Sequence, residues 1–282
     1  MPPPDPPTSA LDGPRLWRVE WRHGEGGAWA LSAATRDEGL ARDEAQAPLG
    51  LVDVGDLWRL LDPAGVTRAF GVLSPAGVFT APPVPPVDTL ESGALGLDWE
   101  AAWEGDRAKP QALLTAARDG SDPRRLVRAA VDCTDLAAEA QPERPPEAGA
   151  ALDAARAWCR GEKATDEVHR LGAEAWTVAT QMLALDGGRT AGVFGVVEAT
   201  RAAACAATAA RHPNDASNAA FYAASAARAR GAPPPGAAGR ALADAAVLAT
   251  RRALATRVRA WLPLSTVLLG AAGAPVPLPP GA

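Results

Sequence analysis

The run Arg201-Ala202-Ala203-Ala204-Cys205-Ala206-Ala207-Thr208-Ala209-Ala210 lies inside an alanine-dense stretch covering residues 110–230, and that stretch decides the fold. Alanine loses no side-chain entropy in a helix, so such a run reads as helical. Small side chains also let helix axes approach closely. The two helices that carry most of the alanine, predicted over 190–211 and 214–230 and split by His212-Pro213-Asn214, therefore belong at the centre of a bundle. Trp158 and Trp176 are expected to pack across them.

Working outward, each neighbouring segment has its own start and stop signals. Ser121-Asp122-Pro123 sets a capping acid before a proline at the first helical position, and Leu126, Ala129, Ala130, Cys133 and Leu136 follow at helical spacing. Pro145-Pro146-Glu147 opens the next helix, with Leu152, Ala155 and Cys159 as its inner row and Gly161 as its stop. A third covers 165–185 and ends at Asp186-Gly187-Gly188. Past a loop at 231–236, residues 240–260 make an amphipathic helix with a basic face of Arg251, Arg252, Arg257 and Arg259.

The N-terminal third has a different period. In Leu16-Trp17-Arg18-Val19-Glu20-Trp21-Arg22 the apolar residues alternate with charges, as in a half-buried strand. Gly24-Glu25-Gly26-Gly27 turns the chain, and Ala28-Trp29-Ala30-Leu31 returns as a hairpin partner. Asp62-Pro63-Ala64-Gly65 and Ser74-Pro75-Ala76-Gly77 share one type I turn chemistry, proline second and glycine fourth, and predict a small antiparallel meander. Helix and strand both remain open for residues 57–61. The leader at 1–14 is proline-rich and reads as disordered, and Ala81-Pro82-Pro83-Val84-Pro85-Pro86 reads as an extended linker. Trp99 and Trp103, four apart, fit one helical turn within an ambiguous segment at 86–109. The expected class is thus α+β: a β-rich region at 15–85, a linker at 86–109, a helical bundle at 110–262 and a proline-rich tail at 263–282.

Composition narrows the function classes. With 282 residues, of which 48% are hydrophobic, the chain can bury real cores. Thirty-three acids against 28 bases give a net charge of -5, which offers no broad positive field to a phosphate backbone, so nucleic acid is not expected as a partner. Cys133, Cys159 and Cys205 lack the short paired spacing of a zinc knuckle or a disulfide framework, which fits a reducing, cytoplasmic compartment. The start of the chain has neither the basic nor the apolar segment of a secretory signal. The longest apolar stretch, 261–274, is broken by Pro263 and is shorter than the roughly 20 residues that a spanning helix needs, so no membrane role is expected.

Several motifs carry a resemblance. Asp122-Pro123-Arg124-Arg125-Leu126-Val127-Arg128, Glu143-Arg144-Pro145-Pro146-Glu147-Ala148, Ala154-Ala155-Arg156-Ala157-Trp158-Cys159-Arg160-Gly161-Glu162 and the alanine run resemble the fifth numbered family of helical immunity proteins from bacterial polymorphic-toxin systems. The likeness covers residues 110–230. In that family an acidic-Arg-Pro step opens a helix that ends in Arg-x-Trp-x-x-Gly. Its members often carry histidines within the alanine-rich helices, where this chain has Phe221 and Tyr222. The resemblance implies a bundle whose surface docks and occludes a cognate toxin.

Read for chemistry, the residues offer binding before catalysis. Asp132, Asp135 and Glu139, at spacings of three and four, form one helix face that suits a basic partner or plain solvation. Arg144 and Arg156 can each grip a carboxylate at two points, or can close a salt bridge to Asp153, Glu147 or Asp135 where the helix begins. No catalytic, cofactor-binding or metal residues are expected. Glu167-Val168-His169 misses the Glu-x-x-His spacing of a metal-binding bundle, and no Gly-x-Ser-x-Gly elbow, phosphate loop or dinucleotide fingerprint is present. Trp17 and Trp21 form either a core or a binding platform. The expected function is a non-enzymatic, immunity-type protein that occludes a toxin or other protein partner. The alternative is a structural subunit of a larger assembly, and self-association is open under either reading.

Overall fold

A computed structural model describes residues 16–24, 26–46, 52–82, 99–105, 108–186, 191–229, 237–274 and 276. The leader at 1–14, most of the 81–86 linker, the 86–98 part of the ambiguous segment, the loop at 231–236 and the end of the tail lie outside these residues. The chain divides into two compact units, Met1–Pro83 and Val84–Ala282. A five-stranded sheet forms the first and a helical bundle the second, the α+β class expected.

In the first unit, β1 (Trp17–Arg22), β2 (Trp29–Thr35), β3 (Leu57–Leu61), β4 (Thr67–Ser74) and β5 (Gly77–Thr80) stand in the order β2-β1-β3-β4-β5, each antiparallel to its neighbours. One face carries Val19, Trp21, Trp58, Leu60 and Ala69, closed by Ala41 and Ala45 of α1 (Glu38–Gln46). Trp17 and Trp21 therefore serve the core. Both proline turns fall where expected. Gly65, at φ +82°, takes the left-handed position that ends the β3–β4 turn. The Asp62 carboxylate accepts the Val66 and Ala64 amides at 2.9 and 2.8 Å and Arg68 Nε at 2.8 Å, and these bonds hold its pKa below the usual value.

Three features of this unit depart from the alternation. Residues 57–61 form a strand, which settles the open choice. Segment 38–46, which has no apolar row, forms a helix that presents only two alanines to the sheet. The charged face of β1 is buried as well, with Glu20 8% and Arg22 2% exposed. β1 lies inside the sheet, and Arg59, opposite Glu20 in register, donates to it from Nε and Nη2 at 2.8 and 2.7 Å. Trp29 lies 4.2 Å from the Arg59 guanidinium and 5.5 Å from that of Arg22, and meets Phe70 edge to face.

The second unit contains α2 (Trp99–Glu104), α3 (Pro110–Ala117), α4 (Pro123–Ala140), α5 (Pro146–Cys159), α6 (Thr165–Asp186), α7 (Ala191–Thr208), α8 (Asn214–Arg228), α9 (Ala237–Trp261) and α10 (Leu264–Ala271). Asp122 caps α4 by accepting the Arg124 amide at 2.7 Å, with Pro123 in the first turn. The alanine helices are central: Ala202, Ala203, Ala206 and Ala207 on α7, and Ala216, Ala219, Ala220 and Ala223 on α8, are fully buried. The stretch read as a proline-rich tail opens with a helix, because Pro263 sets the turn before it and Leu264, Val267 and Leu268 bury their side chains. Trp176 lies against Arg201 of α7 and Tyr222 of α8, but at the surface of the bundle, where it stays 39% exposed.

Candidate functional site

Four of the five binding residues expected from the sequence meet in one open groove of about 610 Å³. Asp135 and Glu139 come from α4, Arg144 from the α4–α5 turn, and Arg156 from α5; Arg257 of α9 joins them. Pro142, Pro145 and Pro146 form a rim whose backbone has little freedom. The groove exists because Pro142 follows Gln141, the C-cap of α4, and stops that helix, and the short turn through Arg144 to the double proline that opens α5 brings the chain back alongside it.

Arg156 bridges two helices. It donates to Asp135 on α4 at 2.5 Å and to Asp153, three residues earlier on α5, at 2.7 Å. Burial works against its charge, but the two carboxylates outweigh that, and its pKa stands above the usual arginine value. Two of the partners expected from the sequence, Asp135 and Asp153, thus engage Arg156, but near the end of α5, where Arg156 stands in the last turn, and not at the start of the helix. Arg257 donates to the Asp132 carbonyl at 3.0 Å and faces Glu139 at 3.5 Å. The basic helix face accordingly pairs in part with the acid row. Arg259 points elsewhere, donating to the carbonyls of Trp103 and Gly105 at 2.7 and 2.9 Å.

Asp132 does not line the groove with the other four. Its carboxylate accepts the indole N–H of Trp261 at 2.6 Å, which ties α4 to the end of α9. Arg144 is the opposite case. It lines the groove, and no ion pair or hydrogen bond engages it among the described residues. Two carboxylates therefore face three guanidiniums across the groove, and the unmatched charge is that of Arg144.

A second concavity was not foreseen from the sequence. It lies among α6, α7 and α8, where Trp176 and Tyr222 meet edge to face at 5.8 Å. Phe221 continues the aromatic series, 5.4 Å from Tyr222 and 47% exposed. The sequence signal for it was weak: Trp176 on α6 and Tyr222 on α8 stand 46 positions apart, and no spacing within one helix relates them. His169 and His212 also meet, with ring centroids 5.4 Å apart. Among the described residues, no three or more His, Cys, Asp or Glu side chains cluster as metal ligands would.

The cysteines belong to the packing. Burial pushes the thiols of Cys133, Cys159 and Cys205 up to about 12, which leaves almost no thiolate at neutral pH. Iodoacetamide at pH 8 is expected to leave Cys133 and Cys159 unmodified in the folded protein and to label all three cysteines in denaturant. Peptide mass spectrometry checks this, and rapid native labelling of Cys133 or Cys159 would show that the helices around it open.

Compared with known proteins, the chain matches no family model, no curated sequence and no solved structure. Its fold and site define it as an α+β protein with a small antiparallel sheet and an alanine-centred helical bundle that carries a charged groove. No helix among the described residues is long and apolar enough to cross a membrane.

Proposed function

We propose that the helical unit is a non-enzymatic binding module of the immunity type, which occludes a protein partner through the groove between α4 and α5. The observation that carries this reading is Arg144, a fork-shaped cation without a partner in a groove whose other two guanidiniums are matched by carboxylates. Desolvating an unmatched guanidinium is favourable only where a ligand brings a carboxylate or comparable acceptor to it. The acids that a basic toxin would seek are already engaged, Asp135 by Arg156 and Glu139 by Arg257. The complementary feature is therefore an acidic side chain of the partner, docked on Arg144 between proline walls. Inhibition follows from occlusion: a chain seated there would have its contacting surface covered.

Affinity capture from the source cell, quantified for stoichiometry, tests this. One equimolar partner is expected, and Arg144→Glu is expected to weaken its binding by about 30-fold or more, the effect of losing a hot-spot arginine. Arg170→Glu makes the same charge change on exposed α6 and should leave binding intact. Equal capture by wild type and Arg144→Glu would overturn the assignment. Recovery of a large self-assembly alone would favour a structural subunit instead.

A further inference from the structure

Where α6, α7 and α8 meet, three small side chains, Ala173, Ala204 and Cys205, face two large rings, Trp176 and Tyr222. The small residues do not fill the space that the rings hold open, and a cleft of about 410 Å³ remains, within the size range of small-molecule sites. The rings form a fixed corner. Behind them, the Arg201 guanidinium lies 5.4 Å from the Trp176 centroid and 5.8 Å from that of Tyr222, and it donates at 3.0 Å to Glu198, which is 3% exposed. This pair, with Glu198 buried and Arg201 half-buried, is neutral as a unit and backs the aromatic wall.

Among the described residues, the one charged side chain lining the cleft is negative. Asp215 accepts Thr208 Oγ1 at 2.7 Å and Asn218 Nδ2 at 3.3 Å, which orients its carboxylate. A carboxylate has about four acceptor positions, so two bonds leave room for a guest. No lysine or arginine lines the cleft, and no ion pair engages Asp215 among the described residues. It also sits in the first turn of α8, where the helix dipole favours negative charge. A carboxylate at one end and aromatic rings along the wall are the two attractions that an organic cation combines.

We propose that this cleft binds a small organic ammonium ion with a flat apolar body, the body against Trp176 and Tyr222 and the ammonium on Asp215. The site shares no lining residue with the α4–α5 groove, so it stands or falls independently of the protein-binding reading.

Tryptamine, its uncharged analogue indole-3-ethanol and its anionic analogue indole-3-acetate serve as probes, titrated into the full chain by calorimetry and ligand-observed NMR. Tryptamine is expected to bind at least about tenfold more tightly than the alcohol, with the acetate weakest. Asp215→Asn should erase the preference for the amine. Ala173→Phe, at an exposed helical position on the cleft wall, should weaken all three probes while far-UV circular dichroism stays unchanged. The proposal is overturned if the alcohol or the acetate binds as well as the amine, if the preference survives Asp215→Asn, if Ala173→Phe binds tryptamine as wild type does, or if no probe binds below about 10 mM.

Discussion

Trp58→Ala is expected to unfold the N-terminal sheet. Trp58 is 2% exposed, lies opposite Trp21 in register, and packs with Val19, Leu60 and the α1 alanines. Its indole N–H donates to the Phe79 carbonyl at 3.1 Å, which ties the middle of the sheet to its β5 edge. Truncating a buried tryptophan to alanine costs about 3–5 kcal/mol, and the lost hydrogen bond adds about 1 kcal/mol. A unit of roughly 65 residues has only about 3–10 kcal/mol of stability in total. The substitution thus removes about 40% of it at the least, and all of it toward the lower end of that range. Residue-resolved amide exchange is the measurement: protection in β1, β3 and β4 should collapse. Protection retained at the wild-type level would mean that Trp58 is not the centre of this core.

The second large effect is expected at Gly270. A Cβ there would stand 1.4 Å from the Gly120 carbonyl oxygen, in the segment that joins α3 to α4. The two backbones would have to separate by roughly 2 Å to restore van der Waals contact. Undocking α10 altogether would expose Leu264, Val267 and Leu268, at about 1.5–3 kcal/mol each. A shift of the helix is the cheaper response, and Gly270→Ala should cost about 3 kcal/mol, the upper end of overpacking. Gly149→Ala provides the contrast. An added Cβ at that α5 position meets nothing within 4 Å, so helix propensity alone acts and should stabilise by about 0.5–1 kcal/mol. Urea unfolding of both variants reads the difference, and equal midpoints would show that α10 does not press on the Gly120 turn.

The Gly270 effect bears on function, because both proposed sites lie in the helical unit and depend on how tightly its helices are held. Arg257 reaches the groove from α9, whose C-terminal end is tied to α4 through Trp261 and Asp132 and runs through Pro263 into α10. A loosened α10 is therefore transmitted first to the end of α9 and then to the partner of Glu139. The aromatic cleft depends on the alanine seam in the same way: α7 and α8 come close enough for Tyr222 to meet Trp176 because buried alanines lie along both helices.

Much of this architecture can be traced to single residues. Asp122 followed by Pro123 dictates where α4 begins, since a side-chain acceptor and a ring-locked φ act on neighbouring atoms. The Asp62–Gly65 turn is equally local. The first strand was legible from Trp17, Val19 and Trp21, but not the fate of its charged face, because burial of Glu20 depends on Arg59, 39 positions away. α1 was missed because its burial rests on two alanines and needs a sheet to lie against. α10 was hidden by the prolines around it.

The sites divide along the same line. Asp135, Glu139, Arg144 and Arg156 could be picked out because they lie within 22 residues of one another, on two consecutive helices and the turn between them. Local chemistry sets their spacing, and the double proline brings them to one side. That Arg144 is left unmatched, that Asp132 is taken up by Trp261, and that Trp176, Tyr222 and Asp215 enclose a cleft were decided only by tertiary structure. Those outcomes depend on which side chains reach one another across α4, α5, α9 and across α6, α7, α8, and no periodicity along a single segment encodes the distance between two helices.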